Sequence, residues 1–330
     1  MTQGPIFVGG PNRSGTSLMY AILASHPNIS MSQRTDLWRY FHDQFGDLSE
    51  RKNFESCLEA MLRYRRLARL EPDPDRIRRE FLAGEPTYGR LFALFHEHQA
   101  ERVGRPRWGD KSLHSELHAD QVFAEFPNAR FIHIVRDPRD RYASERRKFS
   151  SNEASATSRW LASAWAAKRN AQRYPEHYLV VRYETLASRP EETMRKVCAF
   201  IDEPYVPEML EMRGAPEHLA QGGDSSFEHI EPGEISTRSI GRFPNVLSAR
   251  EIAFIQMVVG RRMAEFDYEP YPVELPARER LSLYLVTLPW GIVRMTRSLA
   301  RKWYKHARGR TIKEHRVLGE REYARVVEGA

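Results

Sequence analysis

The sequence predicts an α/β fold: a P-loop-like parallel β-sheet flanked by helices, with a helical insertion and a basic helical C-terminal tail. Three observations predict it. Apolar runs of strand length ("PIFVG", "RFIHIV", "YLVVRYE") alternate with stretches of helical spacing, the order of a parallel sheet covered on both faces. The first run ends at glycine and passes at once into a helical segment, "GTSLMYAILAS". Charge is unevenly placed: residues 277–330 hold 13 Lys and Arg against 5 Asp and Glu, while the rest of the chain holds 38 against 39. The net charge of +7 therefore belongs to the tail, and the balanced remainder is unlike a uniformly basic nucleic-acid-binding domain.

Taken in order, the first strand is residues 5–9, and the helix after it carries Leu18, Ile22 and Leu23 on one face. It closes at His26, because the residue before Pro27 disfavours the α conformation. Residues 36–107 set charges and aromatics at helical spacing, broken at Pro72, Pro74 and Pro86, and read as a helical insertion. A second strand at 130–135 leads into "RDPRDRYASERRKF". A third at 178–184 precedes a helix that starts near Arg189 and Pro190, where proline and Glu191-Glu192 suit a first turn. Residues 222–248, rich in glycine, serine and proline, read as a covering loop. The predicted division is a main domain over 1–275 and a basic helical extension over 276–330.

No basic, apolar, small-residue leader opens the chain, and its longest apolar run, residues 281–293, is shorter than the roughly 20 residues that span a bilayer. A soluble, cytoplasmic protein is expected, in which Cys57 and Cys198, outside any Cys-x-x-Cys, are reduced thiols. The tail, apolar first and cationic after, is expected to pack as a terminal helix or to make an oligomer or peripheral membrane contact. His96 and His98 of "HEH", and His114 with His118, lack a full metal-ligand pattern and read as solvated helix faces. Trp160, Trp165 and Tyr174 fall at helical intervals and read as core.

Gly10 and Gly15 have the separation of a P-loop, G-x-x-x-x-G-K followed by Ser or Thr, and Ser17 fills its last place. Thr16, however, stands where the lysine belongs. The backbone amides of residues 13–17 and the start of the next helix make a concave set of donors for an anion. A P-loop lysine serves the β- and γ-phosphates; without it, and with the planar fork of Arg13, the loop suits a nucleotide bearing a short 5′ anionic group. A second anion site is read at "IVRDPRDRYAS", where Arg136 leaves the carboxyl end of a central strand and Ser144 lies eight residues on. Asp137, Arg139 and Asp140 are read as positioning that turn.

Together these patterns resemble the sulfotransferase family. The run Pro11-Asn12-Arg13-Ser14-Gly15-Thr16-Ser17 is similar to its donor loop, and Arg136-Asp137-Pro138-Arg139 with Ser144 to its 3′-phosphate motif. The segments "SHPNI", "RWGDKS", "YETL" and "RSIGRF" also fit, so the likeness runs from about residue 5 to about 270 and leaves the insertion and tail uncovered. The resemblance implies 3′-phosphoadenosine 5′-phosphosulfate (PAPS) as donor, adenosine 3′,5′-bisphosphate (PAP) as product, and no metal. It places the 5′-phosphosulfate on Arg13, Ser14, Gly15, Thr16 and Ser17 and the 3′-phosphate on Arg136 and Ser144. It also implies Lys111 for charge on the transition state and leaving group, Tyr183 for the adenine, and Arg242 for a loop over the donor.

The family's base, a glutamate several residues beyond the "HP" turn, falls by spacing on Arg34, which cannot accept a proton. Asp36 is the nearest carboxylate and the candidate base, with a helix cap as its structural alternative. Asp110, beside Lys111, is the reserve, since a neighbouring cation favours its charged form. The expected activity is sulfuryl transfer to a hydroxyl on a glycan, a lipid-linked or small metabolite, or a peptide tyrosine. Two alternatives stand beside it. One is a P-loop kinase using ATP and Mg²⁺, against which Thr16 and the Arg136 and Ser144 pair argue; the other is a catalytically inactive relative that docks through its tail.

Overall fold

The computed structural model of the protein describes residues 3–149, 151–220, 231, 233–307 and 312–328. Among them are five strands: β1 Ile6–Gly9, β2 Ile29–Gln33, β3 Arg107–Lys111, β4 Arg130–Val135 and β5 Tyr178–Arg182. They form one parallel sheet in the order β2-β3-β1-β4-β5. The chain first builds to one side of β1 and then crosses to the other. The loop leaving β1 therefore opens at the point where strand order reverses, which is where open α/β sheets hold ligands. The expected strands are present with two corrections. "ISMSQ" pairs as β2, although its serines hid it from a search for apolar runs. The third predicted strand ends at Arg182, so that Tyr183 and Glu184 open a helix instead.

Helix α1, Thr16–Ala24, follows the β1 loop directly. The insertion is helical as expected: α2 Leu37–Tyr40, α3 Arg51–Arg63, α4 Arg65–Ala68, α5 Pro74–Leu82 and α6 Tyr88–Arg102. Its prolines start helices as much as they stop them: Pro74 is the first residue of α5, where the Asp73 side chain accepts the amides of Asp75 and Arg76. There follow α7 Ala119–Glu125, α8 Pro138–Lys148, α9 Glu153–Arg173, α10 Tyr183–Ser188, α11 Pro190–Phe200, α12 Pro216–Ala220 and α13 Ala249–Ala264. The tail forms α14 Ala277–Ser282, a π-helical turn at Leu283–Thr287, α15 Leu288–Ala307 and α16 Glu320–Glu328. Part of the covering loop predicted over 222–248 lies outside the described residues.

Alternation along the strands sends side chains to two cores. Phe7, Trp108, Phe131 and Tyr178 meet the insertion on one face, where Phe54 and Phe81 stack at 4.2 Å. Ile6, Val8, Ile132 and Ile134 meet α1, α10 and α11 on the other. A third cluster joins α8, α9 and α13, and Leu283 and Met295 of the tail are buried in it. Of the expected core aromatics Trp160 is buried, but Trp165 is exposed, beneath the Arg262 guanidinium at 4.1 Å. Cys57 and Cys198 are buried free thiols.

Two glycines make the β1 loop possible. A Cβ at Gly10, where φ is 142°, would lie 2.6 Å from the Ile134 carbonyl oxygen. At Gly15, with φ 95°, it would lie 2.3 Å from the Tyr183 ring. Gly15→Ala should therefore combine left-handed strain with a ring displaced from below, and lower stability by about 1–3 kcal/mol. Urea unfolding of the two proteins measures this, and equal midpoints would refute the packing described.

Asp140 pins the far side of the same cleft. It accepts the backbone amides of Gly241 at 2.6 Å and Phe243 at 2.8 Å, so it positions the "SIGRF" loop rather than its own turn, which Asp137 caps. Burial pushes the Asp140 carboxyl up to about 6, against the opposing pull of Arg136. The native state then keeps a proton that the unfolded chain releases near 3.8, so this group's contribution to stability falls as pH rises from about 4 to about 6. The unfolding free energy of wild type relative to Asp140→Asn should decline across that window by an amount on the order of 3 kcal/mol. Parallel pH profiles for the two proteins would show that the carboxyl is not perturbed.

Candidate active site

The loop between β1 and α1 turns on Arg13, whose backbone is left-handed at φ 67°, and on Gly15. Its entry is held from behind: the Gly10 amide donates to the buried Glu116 carboxylate at 2.9 Å. The first amides of α1 have no partner within the helix and, at its positive end, suit an anion.

Arg136 rises from the end of β4 into this loop. Its guanidinium donates to the Arg13 carbonyl at 2.9 Å and the Ser239 carbonyl at 2.8 Å, and lies 4.4 Å from the centre of the Tyr183 ring. Its own carbonyl accepts the Trp160 indole N–H at 2.7 Å. The Tyr183 hydroxyl is 2.7 Å from Ser239 Oγ, and Arg13 Nε donates to Ser144 Oγ at 2.9 Å. Arg13, Arg136, Ser144 and Tyr183 are thus brought together as the sequence predicts, with Ser239, which it did not single out, and Trp160, which it read as core. Among the described residues, Arg136 Nε and Ser14 Oγ are buried without a hydrogen-bond partner. Two unspent polar groups in one cleft fit an anionic ligand better than a closed core. Arg242 lies between the two amides gripped by Asp140 and is partly buried. Glu184, beside Tyr183, accepts the Asp137 amide at 2.9 Å and so fixes the turn that follows Arg136.

On the other side of β1, Lys111 ends β3. It is buried, donates through Nζ to Ser17 Oγ at 3.3 Å, and lies 5.9 Å from the Tyr20 ring centre. A cation is thereby placed beside the last loop residue, where the P-loop lysine is missing. Asp36 stands at the head of α2, but its side chain makes no capping bond, so the cap alternative fails. Instead Asp36 Oδ2 accepts the Tyr64 hydroxyl at 3.2 Å and the Arg316 guanidinium at 3.2 Å. Burial pushes its carboxyl above the usual carboxylate range, although Arg39 and Arg316 pull it down.

Arg316 belongs to the tail, whose last described segment folds back over the insertion. Tyr64 and Val317 form an antiparallel bridge, the Leu318 amide donates to the Arg63 carbonyl, and Arg65 makes a two-pronged pair with Glu322 at 2.9 and 2.7 Å. Between them lies a cavity of 1220 Å³ lined from both sides, by Arg34 at the end of β2, by Asp36, Arg39 and Arg66 of the insertion, and by Lys313 and Arg316 of the tail. Seven of its lining residues are Arg or Lys and only two, Asp36 and Glu322, are carboxylates, both already paired. A smaller cavity of 330 Å³ opens beside Ser17 and Tyr20 and is lined by Arg34, Arg66 and Arg69. The side chains of Arg34 and Arg66 have no hydrogen-bonded partner among the described residues. Burial, then the like charges of Arg69 and Arg34, hold the Arg66 pKa below its ordinary value. This side of the cleft is therefore cationic, and its wall includes a segment far from any motif.

The histidine readings need correction. His96 is fully buried, stacked on Trp108 at 4.6 Å, with Nδ1 2.8 Å from the Phe92 carbonyl and Nε2 3.0 Å from Ser32 Oγ, which in turn lies 2.9 Å from Asp110 Oδ1. His98 is buried against Glu80 at 2.9 Å. His114 and His118 are partly buried and line the large cavity. Helical periodicity put them on faces; only the packing of β2 and β3 against α6 shows what those faces meet.

The protein-tyrosine sulfotransferase of Drosophila melanogaster is 25% identical over 287 residues, which is 81% of this chain and 52% of that protein. Protein-tyrosine sulfotransferase A of Caenorhabditis elegans is 26% identical over 235 residues, 68% of this chain and 56% of that protein. The chain thus spans little more than half the length of these relatives. The solved sulfotransferase domain of the Synechococcus PCC 7002 olefin synthase shares the fold, with a TM-score of 0.59 at 22% identity over 81% of this chain and 95% of that one. The sequence profile of the sulfotransferase family matches residues 5–207, more than half of the chain, and the protein belongs to that family.

Proposed function

We propose that the protein transfers a sulfuryl group from PAPS to an acceptor hydroxyl, and that the acceptor is a phenol, as on a peptide tyrosine, set among negative charges. The observation that carries the donor reading is the buried Arg136, with its free Nε, facing a P-loop in which Thr16 replaces lysine. The donor would supply an activated sulfuryl group, whose bond to the phosphate oxygen breaks as the acceptor oxygen bonds to sulfur. Residues 13–17 would hold its 5′ end, Arg136 and Ser144 its 3′-phosphate, and Tyr183 and Arg242 would line the nucleoside. The reading asks for no metal, because this donor has no β/γ-phosphate chain to organise.

Lys111 would place its charge where the leaving phosphate becomes more negative, a contact of a kind whose removal costs about 10²–10³ in rate. Asp36 is the proposed base: burial raises its affinity for a proton, and Tyr64 and Arg316 fix its second oxygen. Two buried free thiols fit a reducing compartment, and we place the reaction in the cytoplasm. The tyrosine reading draws on the names of the relatives, and the anionic setting on the surplus of guanidinium groups around both cavities.

Calorimetry with PAP, and with ATP and Mg²⁺, tests the donor. PAP should bind without metal and about 100-fold more weakly to Arg136→Lys, which keeps the charge and loses the fork. Binding of ATP with Mg²⁺ alone would instead favour the kinase. For the acceptor, the peptides Glu-Tyr-Glu, Ala-Tyr-Ala and Lys-Tyr-Lys should fall in that order of kcat/KM, by about tenfold per step, and Arg66→Ala should narrow the gap. An order unaffected by peptide charge would remove the anionic requirement.

A further inference from the structure

We propose that the apolar end of the tail, from α14 through the first half of α15, is a docking surface for an anionic lipid bilayer. One side of this segment is fastened to the protein. Leu283 and Met295 are buried, and Gly291 lies so close to the Phe254 ring that a Cβ would come within 2.3 Å. The other side is bare. Of the fifteen large apolar side chains exposed among the described residues, seven fall within residues 281–293. They include Leu281, Tyr284, Leu285, Trp290 and Ile292, with Leu285 66% and Trp290 55% exposed. Spacings of three, four and seven residues keep Leu281, Tyr284, Leu285 and Ile292 on one side of the helix. A packed terminal helix, the simpler expectation, does not leave its apolar residues in water.

Charge identifies the occupant. From residue 281 to residue 313 the sequence has eight Lys and Arg and no Asp or Glu, and Arg294 and Arg297, next to the apolar face, are exposed. A second copy of the chain, paired about a two-fold axis, would set these cations against their own images, at a cost in repulsion. A bilayer with acidic headgroups accepts both features, acyl chains under Leu285 and Trp290 and phosphates beside the arginines. No helix among the described residues is long and apolar enough to cross a membrane, so the segment would lie in the plane of the interface.

Co-sedimentation of the full chain with phosphatidylcholine vesicles, with and without phosphatidylserine, tests this. Binding is expected only where phosphatidylserine is present, weakening as salt rises. It should drop at least about tenfold in the double variant Leu285→Gln/Trp290→Gln, and as much in Arg294→Glu/Arg297→Glu. All four side chains are solvent-exposed, so the variants should keep the wild-type melting temperature; if one pair does not, the other decides. Equal binding to uncharged vesicles, or variants that sediment like wild type, would overturn the proposal. So would a dimer in analytical ultracentrifugation that the same variants dissociate, which would assign the face to a second copy.

Discussion

A guanidinium with no carboxylate in hydrogen-bonding contact among the described residues is the constraint around which this protein is arranged. Arg136 is buried at the end of a central strand, and what compensates its charge at hydrogen-bonding distance is a pair of backbone carbonyls, with an aromatic ring beneath. Four segments are committed to holding it: the β1 loop through Arg13, the β4 end through Trp160, α10 through Tyr183, and the loop after residue 236 through Ser239. Gly15 is glycine because the ring under Arg136 leaves no room for a Cβ. Carbonyl dipoles and a π face soften the cost of a buried cation without cancelling its charge. The cleft therefore retains a positive field and an unused N–H, which an anion would satisfy. A loop lysine in place of Thr16 would add a further cation to a loop that already holds Arg13 and meets Arg136 and Lys111.

The two halves of the site are built by different means. The half around Arg136 is built from the β1 loop, the neighbouring strand end and the helices that leave them, within the matched residues 5–207, with Ser239 joining from beyond them. The cavity on the other side of β1 depends on contacts across most of the chain, since Asp36 and Arg316 stand 280 positions apart. The returning segment is held by a backbone bridge, by Arg65 with Glu322, and by the Tyr323 ring 4.0 Å from the Arg63 guanidinium. Each exposed pair is weak alone. Together with Ile312, Tyr323 and Val326, which pack on the insertion core, they make the tail a wall of the cavity.

This division explains what could be read from the sequence. The loop, Arg136 and Ser144 were legible because glycine spacing and strand ends are local signals with a physical cause. The insertion's helices were legible through periodicity. Strand β2 was not, because its serines face buried polar partners, Ser32 meeting His96 and Asp110, and so break the apolar run that announces a strand. Tyr183 was placed one element early, since a helix that begins directly at a strand end leaves no turn residue as a marker. Arg316 gave no signal beyond the tail's charge. Its partner is set by how the chain returns, which no window of neighbouring residues contains.

The hydrogen bonds also set apart the two carboxylates considered as base. A carbonyl only accepts, so the contact with Phe92 puts a proton on His96 Nδ1. From His96 Nε2 the contacts run on to Ser32 Oγ and from there to Asp110 Oδ1, so the Asp110 carboxylate is committed to a buried chain and does not line the large cavity. Burial holds the His96 pKa below its ordinary value. Asp110 is therefore engaged as a structural relay behind Lys111. Asp36 faces the cavity instead: Tyr64 and Arg316 both donate to Oδ2, and burial outweighs their pull on its carboxyl. Asp36 lines the cavity and Asp110 does not, which is why the base proposed above is Asp36.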